Sequence, residues 1–409
     1  MSSLTATVQE NKNSLKIFAA IGLCLLGDAM LYTVLPTRVD LFAFSGAQLG
    51  IILAANRIIR LVSNFWAADL YKKWGRKIPF NIAVFLSIFI TFSYGYFELF
   101  WQFLILRILW GIVFSLLRLK ALLIIFDSDL PENKQGKLSG IFRSMSRSGY
   151  MIGMILGGFL TDQFSMGGSA YILAGLTSLA LIFIFTGSKD GNDNRNFDEA
   201  EKEALNPESK TNFFKLITSF KMFILMFMGF ALHFTGLGLI NSSYGLYLKS
   251  LFGESIFILG FTVGIATLNG ILLSTQSLFV LILSPFLGDT ADRYSVERLL
   301  PYAFYLQGLL MLLLVLFQNV WAAVLTPLFI FTNTAFIVIL LYIEVGKYNK
   351  STVSDRMAGY TTAVDLGAAL GPLTLIFLDF GLNVYLLYSL AAALLVISGF
   401  LHNVYFTKE

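Results

Sequence analysis

Charged side chains set inside apolar runs are where this sequence can do chemistry. Asp28 and Arg107 stand among Leu, Ile, Phe and Ala residues, as do Arg57, Arg60, Arg118, Lys120, Arg143 and Arg147. Later in the chain the sign reverses, with His233, Glu344 and Asp365 in apolar surroundings. A cation at the centre of a bilayer costs roughly 2.5–3.5 kcal/mol even on a lenient insertion scale, so it normally faces protein or a wet cavity. Guanidinium groups bind carboxylate and phosphate in two-pronged fashion. A carboxylate beside a buried cation holds or releases a proton according to that neighbour, and an imidazole titrates near neutral pH. The chemistry on offer is therefore ion binding and proton exchange. Covalent or metal chemistry has little to work with: Cys24 is the only cysteine, and the two histidines, His233 and His402, lie far apart in sequence. No disulfide within the chain, no metal site and no cofactor is expected. The net charge of +4 gives no reason to expect a nucleic-acid partner.

Membrane-length helices must position these residues. Of the 409 residues 56% are hydrophobic and 13% charged, where soluble domains carry about 25% charged residues. Mean hydropathy is +0.74, and apolar runs of roughly 20 residues alternate with short polar turns. An all-α polytopic membrane protein follows, with twelve spans at about 15–35, 47–66, 78–96, 101–126, 138–160, 170–186, 222–248, 257–287, 299–317, 321–345, 357–378 and 384–405. The first run is too long for a signal-peptide core and lacks a small-residue cleavage pattern, so it reads as an uncleaved span. Residues 1–14 read as a cytosolic tail, 15–187 as a six-helix bundle, 188–212 as a charged cytosolic linker and 213–409 as a second six-helix bundle. A short surface helix is expected over 211–220.

Basic residues set the orientation. Lys72, Lys73, Arg76 and Lys77 fill the second connection, Lys134 and Lys137 the fourth, Arg293 and Arg298 the eighth, and Lys347, Lys350 and Arg356 the tenth. The odd-numbered connections hold little beyond Arg38 and Lys249. Both termini are therefore expected in the cytosol, with the chain in the plasma membrane (the inner membrane of a bacterium).

The two halves repeat one another. Ser139–Gly153 aligns without gaps on Ala358–Pro372, and the basic turn after span 2 has a counterpart after span 8. Two parallel halves of six spans make a transporter architecture, with its site between the halves at the bilayer midplane. In span 5, Gly149, Gly153 and Gly157 recur every four residues with Gly158 beside them. At 3.6 residues per turn these form a smooth stripe where another helix can approach.

With these features the chain resembles the major facilitator superfamily over nearly its whole length. The family's turn signature appears after span 8 as Gly288-Asp289-Thr290-Ala291-Asp292-Arg293-Tyr294, with Ser295 in place of the later glycine. After span 2 it appears from Ala68 to Lys77, with Ala68 for the first glycine and Lys72 where the acid belongs. Asp69 lies one turn earlier and can substitute; Gly75 and Arg76 match. In the family this turn latches the halves on the cytosolic side, which implies gating roles for Asp69, Gly75, Arg76, Asp292, Arg293 and Glu344. Phe103, Arg107, Trp110 and Gly111 resemble the family's arginine motif of span 4, with Trp110 for glutamine. Gly149 to Leu160 resembles the span 5 motif associated with antiporters, with Met154 for proline.

Depth along a helix, at about 1.5 Å per residue, places Asp28 and Arg107 at similar levels, roughly 10 Å below the outer end. The pair reads either as a structural salt bridge or as a proton-linked pair. Asp365 is placed to meet Arg57 or Arg60, because spans 2 and 11 adjoin in this superfamily. His233 reads either as a proton relay or as a simply hydrogen-bonded side chain. Lys120 is expected to snorkel to the cytosolic headgroups. Tyr244, Tyr247, Asn241, Asn269, Gln276 and Asn333 either line a cavity or bond between helices. The excess of arginine in the first half favours a small organic anion as cargo (a carboxylate, a siderophore or a phosphorylated metabolite), bound by Arg57, Arg60, Arg118, Arg143, Arg147, Tyr244 and Asn269. Protons are the expected coupling ion, through Asp28, Arg107, Asp365 and His233. The alternatives are a multidrug:proton antiporter for lipophilic or cationic compounds, using Asp28 as its acidic anchor, and an anion uptake symporter. A monomer in the bilayer is expected, and an enzyme is not.

Overall fold

The computed structural model describes residues 2–42, 44–125, 132–187, 220–258, 260–293, 295–347 and 353–406. The expected linker and nearly all of the expected surface helix over 211–220 lie outside the described residues. Hydrocarbon offers backbone groups no partner, and a helix satisfies its own. We number the crossing helices α1 (Asn13–Thr37), α2 (Gly46–Trp74), α3 (Ile78–Ser93), α4 (Phe100–Ile125), α5 (Glu132–Gln163), α6 (Met166–Phe185), α7 (Phe220–Phe252), α8 (Ile265–Arg293), α9 (Val296–Leu316), α10 (Val320–Lys347), α11 (Gly359–Asp379) and α12 (Val384–Phe406). Among the described residues, 10 helices are long and apolar enough to cross a membrane. Of the other two, α3 is apolar but has 16 residues, and α5 has 32 residues but carries Arg143, Arg147 and several serines. Hydroxyls inside the helices bond back to the preceding turn: Thr91 donates to Ser87 O, Thr177 to Leu173 O and Ser242 to Gly238 O, each at 2.8 Å.

The helix that becomes α1 begins at Ser2, so the polar stretch ahead of the first span is itself helical. The eighth span corrects the sequence reading. It starts at Ile265, not near 257, because the residues before it form an antiparallel hairpin, β1 (Ser255–Ile258) with β2 (Phe261–Gly264), Ile256 opposite Val263. Gly260 takes φ 88° at the turn, and the flanking Ile, Phe, Thr and Val favour strands. A run of apolar residues cannot by itself separate a strand from a helix.

The chain forms two compact units, one of Met1–Val34 with Ala55–Glu208 and the other of Leu35–Ala54 with Ser209–Glu409. In the first, the glycine stripe of α5 lies against α1. A methyl group on Gly153 would come 2.6 Å from Leu26 O, one on Gly157 2.7 Å from Met30 Cγ, and Gly149 rests on the backbone of Gly22. Gly158 is buried beside them. The second unit repeats the device between α11 and α7: Gly367 lies on Phe230 O and Gly371 on Phe234 O. α5 runs unbroken past Met154, as expected of a helix without the antiporter-motif proline.

Replacing Gly153 by Leu should lower the thermal unfolding midpoint of the purified protein, since overpacking costs about 1–3 kcal/mol. Gly175→Ala, where an added methyl meets nothing within 4 Å, should leave the midpoint in place. Equal midpoints for the two variants would show that the stripe does not set the α1–α5 distance.

Candidate functional site

The site in the first unit is built where α1 breaks. α1 consists of two helices, Ser2–Cys24 and Leu26–Val34, joined at Leu25. The break puts Asp28 in the first turn of the second piece, where the helix dipole favours a negative charge. Asp28 is 1% exposed and Arg107 of α4 is 0% exposed, and the two form an ion pair through Asp28 Oδ1 and Arg107 Nη1. Tyr150 Oη of α5 donates to Asp28 Oδ2 at 2.7 Å, and Asn56 Nδ2 of α2 donates to Oδ1 at 3.3 Å. Arg107 Nη2 donates to Tyr32 Oη at 3.2 Å, and Tyr32 Oη donates to Asn56 Oδ1 at 3.3 Å. Four helices thus converge on one carboxylate, and both oxygens are bonded. Gly111 lets α4 approach α2, since a methyl there would fall 2.7 Å from Asn56 O.

Other arginines surround this core. The guanidinium of Arg57 lies 5.3 Å from the centre of the Tyr32 ring, on which Arg107 also rests at 5.2 Å. Arg60 Nε donates to Asn56 O at 2.9 Å, and its guanidinium lies 4.4 Å from the centre of the Phe114 ring. Arg57, Arg60 and Arg147 are half-buried, whereas Arg118 and Arg143 are exposed. Aromatic faces stabilise a desolvated guanidinium by roughly 0.5–2 kcal/mol. Tyr32, Asn56 and Tyr150 are the functional neighbours that sequence reading missed. Tyr150 follows Gly149 directly in the glycine motif, and that adjacency was the available signal.

On the side read as cytosolic, Asp69 is exposed, Gly75 takes φ 73° and Arg76 is 6% exposed. Lys120 corrects an expectation: it does not snorkel but is 3% exposed, donating to Arg76 O at 3.1 Å with Nζ 5.9 Å from the centre of the Phe80 ring. It ties the end of α4 to the basic turn after α2. Glu344, at the end of α10, is 6% exposed, and its Oε2 has no partner among the described residues. The side chains of Asp292 and Arg293 lie outside the described residues.

In the second unit the polar residues mostly bond between helices. Tyr244 is buried and donates to Ala323 O, Tyr247 Oη donates to Leu314 O at 2.8 Å, and Asn333 Nδ2 donates to Ala303 O at 2.8 Å. Asn269 and Asn241 are buried and Gln276 is half-buried. His233 Nδ1 sits 2.9 Å from Gly229 O, one turn back on its own helix. Asp365 is exposed.

This unit also holds a clasp that motif reading did not supply. Arg38 pairs with Glu254, and Lys249 Nζ reaches Asp40 Oδ1 at 2.6 Å, Glu254 Oε1 at 2.7 Å and Thr37 O at 3.0 Å. The hairpin base fixes Glu254, whose carbonyl accepts from Ile265 N at 3.0 Å. Beside it, Asp379 accepts from Gly46 N at 2.7 Å and Ala47 N at 2.8 Å, while Ser45 and Gln48 cap the same turn reciprocally. The first turn of α2 is therefore capped from α11 as well as by its own Ser-x-x-Gln box. Burial pushes the Asp40 carboxyl up, but the hydrogen bond and charge of Lys249, helped by Arg38, outweigh it and hold the group below the usual carboxylate range.

Two bundles of membrane-crossing helices, one of them closed around a buried carboxylate–guanidinium pair, define a polytopic membrane transporter. The chain belongs to the Major Facilitator Superfamily, whose sequence model matches residues 17–271. Similar proteins include the multidrug resistance protein MdtG of Serratia proteamaculans (strain 568), 24% identical over 318 residues that cover 74% of this chain and 72% of the relative. MdtG of Klebsiella pneumoniae (strain 342) is 25% identical over 343 residues, covering 83% of this chain and 77% of the relative. Among solved structures, the nucleoside transporter NupG superposes with a TM-score of 0.76 at 14% identity, over 97% of this chain and 99% of that one. A bacterial homolog of the human lysosomal transporter Spinster, inward-facing and unoccupied, gives a TM-score of 0.73 at 14% identity, over 98% of each chain.

Asp28→Ala should destabilise the protein by about 3–5 kcal/mol, the usual cost of stranding a buried charge, and Arg107→Met on that background should restore most of the loss. Thermal or denaturant unfolding in detergent reads both; a double variant no more stable than Asp28→Ala would contradict the pairing. For the clasp, a cysteine at Gln48 should react several-fold faster with an impermeant maleimide when Asp379 is replaced by Ala. Acid should have the same effect, because the lowered pKa of Asp40 makes its stabilisation present above the ordinary carboxylate range and lost as pH falls through the lowered value. Labelling rates indifferent to both would show that the clasp does not hold this end of α2.

Proposed function

We propose that the protein is a multidrug:proton antiporter that exports lipophilic or cationic compounds by alternating access. The observation that carries the reading is Asp28, the one buried carboxylate among the described residues of its unit, held by an arginine, a tyrosine and an asparagine from three other helices. A carboxylate so placed has two states of different charge. When ionised it balances Arg107; when protonated it leaves that guanidinium uncompensated, which repels a cationic cargo and loosens the four-helix junction. Cation and proton would then compete for one acid, and competition for one site is the simplest route to antiport. The similarity to MdtG proteins supports this reading over anion transport. The arginines also fit it better: Arg60 is engaged by a carbonyl and an aromatic ring, Arg118 and Arg143 are exposed, and Tyr244 is committed to helix packing.

In this reading, Asp69, Gly75, Arg76, Asp292, Arg293 and Glu344 gate the cytosolic side, and the Arg38–Glu254–Lys249–Asp40 clasp holds the outer end. Asp365 and His233 are secondary proton carriers. The basic connections support a plasma-membrane location, the inner membrane in a bacterium, with both termini in the cytosol. A monomer suffices, since both halves are in one chain.

Everted vesicles test the reading. A lipophilic cation such as ethidium should accumulate when an acid-inside gradient is imposed, and Asp28→Asn should reduce gradient-driven accumulation at least about tenfold, the consequence of some 1.4 kcal/mol of lost coupling. Proton flux evoked by citrate or a sugar phosphate but by no cation would reject it in favour of anion transport. Full gradient-driven transport by Asp28→Asn would remove Asp28 from the mechanism.

A further inference from the structure

Behind the α1–α5 seam the first unit has a groove of about 590 Å³, lined by Gly22 and Leu26 of α1, Ser148 and Ile152 of α5, and Leu179 and Phe183 of α6 among others. None of the side chains that hold Asp28 lines it. Its size falls within the range of roughly 300–1,000 Å³ typical of sites for small organic molecules. Three features narrow the occupant. The walls carry no charge and one hydroxyl, that of Ser148, so an ion or a polar cargo would lose its hydration without compensation. Water is equally disfavoured, because a buried water needs two to four polar partners. The groove also opens on an exposed apolar face, the kind of surface that a membrane-crossing bundle presents to hydrocarbon. Its rim residues Ile152, Leu179 and Ile182 are 42%, 44% and 54% exposed. The same helices continue that exposed apolar surface with Phe159, Ile172 and Phe185.

The backbone accounts for the shape. Gly22 and Gly149 supply no side chain to the floor. α6 continues through Leu179, whose φ −60° and ψ −21° are helical, and the side chain of this residue lines the groove. We propose that the groove binds one acyl chain of a membrane lipid, seated along α1, α5 and α6 as a structural part of the first unit. The acyl chain backs the Gly22–Gly149 contact, and Tyr150, the next residue on α5, carries the hydrogen bond to Asp28. The lipid therefore supports the wall that positions the proton site.

The full chain, reconstituted in vesicles of phosphatidylethanolamine and phosphatidylglycerol, can be irradiated with a phosphatidylethanolamine carrying a diazirine within one acyl chain. Peptides covering residues 19–26, 145–152 and 176–183 should take up several-fold more label than the comparably exposed α8 face at Ile271, Leu278 and Ile282. Ser148→Phe should bring the excess down to the α8 level, and Leu179→Trp serves the same purpose if the first variant does not fold. Equal labelling of the groove and the α8 face would overturn the proposal. So would loss of the groove label on saturation with a lipophilic cation, which would make the groove a route for cargo.

Discussion

A carboxylate cannot stay ionised inside a membrane bundle unless its surroundings replace water, and the first unit is arranged to do that for Asp28. Arg107 sets a positive charge in contact with it, and two charges in contact interact far more strongly at low dielectric than in water. This attraction is not sufficient alone, since the desolvation of both partners is of comparable size. The remaining oxygen lone pairs are therefore met by Tyr150 and Asn56, and the spare guanidinium edge by Tyr32. Each partner comes from a different helix, so the network fixes the mutual positions of α1, α2, α4 and α5. Its stability depends on the protonation of one group, which makes that group a natural point for a transport cycle to act on.

Close helix approach makes the network geometrically possible. Tyr150 reaches Asp28 because α5 lies against α1 with only Gly149, Gly153 and Gly157 between the backbones. Membrane helices gain little from burying apolar side chains against one another, since lipid is equally apolar, so tight backbone packing supplies much of their association. The second unit uses Gly367 and Gly371 on α7 carbonyls in the same way, although its acids are placed differently. Shared packing with different charge placement is what duplication followed by specialisation of one half would leave.

Much of this was legible in the sequence. Each of the twelve expected spans is met by a helix among the described residues, ten of them long and apolar enough to cross a membrane. Asp28 and Arg107 were brought together by depth along their helices alone. Reading failed where side-chain direction or local backbone decided the outcome. The apolar run from 255 to 264 is a hairpin, since period and hydropathy do not distinguish strand from helix over so few residues. Lys120 was placed at the headgroups by its level, yet it turns inward to the carbonyl of Arg76. For Tyr244 and Asn333 sequence left open a cavity or a bond between helices, and neighbouring helices take them up. The clasp of the second unit combines residues more than 200 positions apart in pairs such as Arg38 with Glu254, which no local pattern encodes. Its only trace was that Arg38 and Lys249 are the cations of the odd-numbered connections.

The central claim is that Asp28 exchanges a proton against cargo. The most direct test is the proton balance of binding itself, measured with purified protein in weakly buffered solution at a pH where Asp28 is partly protonated. Titration with a lipophilic cation should release protons in step with saturation, up to about one per protein, and Asp28→Asn, which mimics the protonated state, should bind the same compound far more weakly and release none. Saturable binding with no proton released, or an undiminished release from Asp28→Asn, would contradict the account.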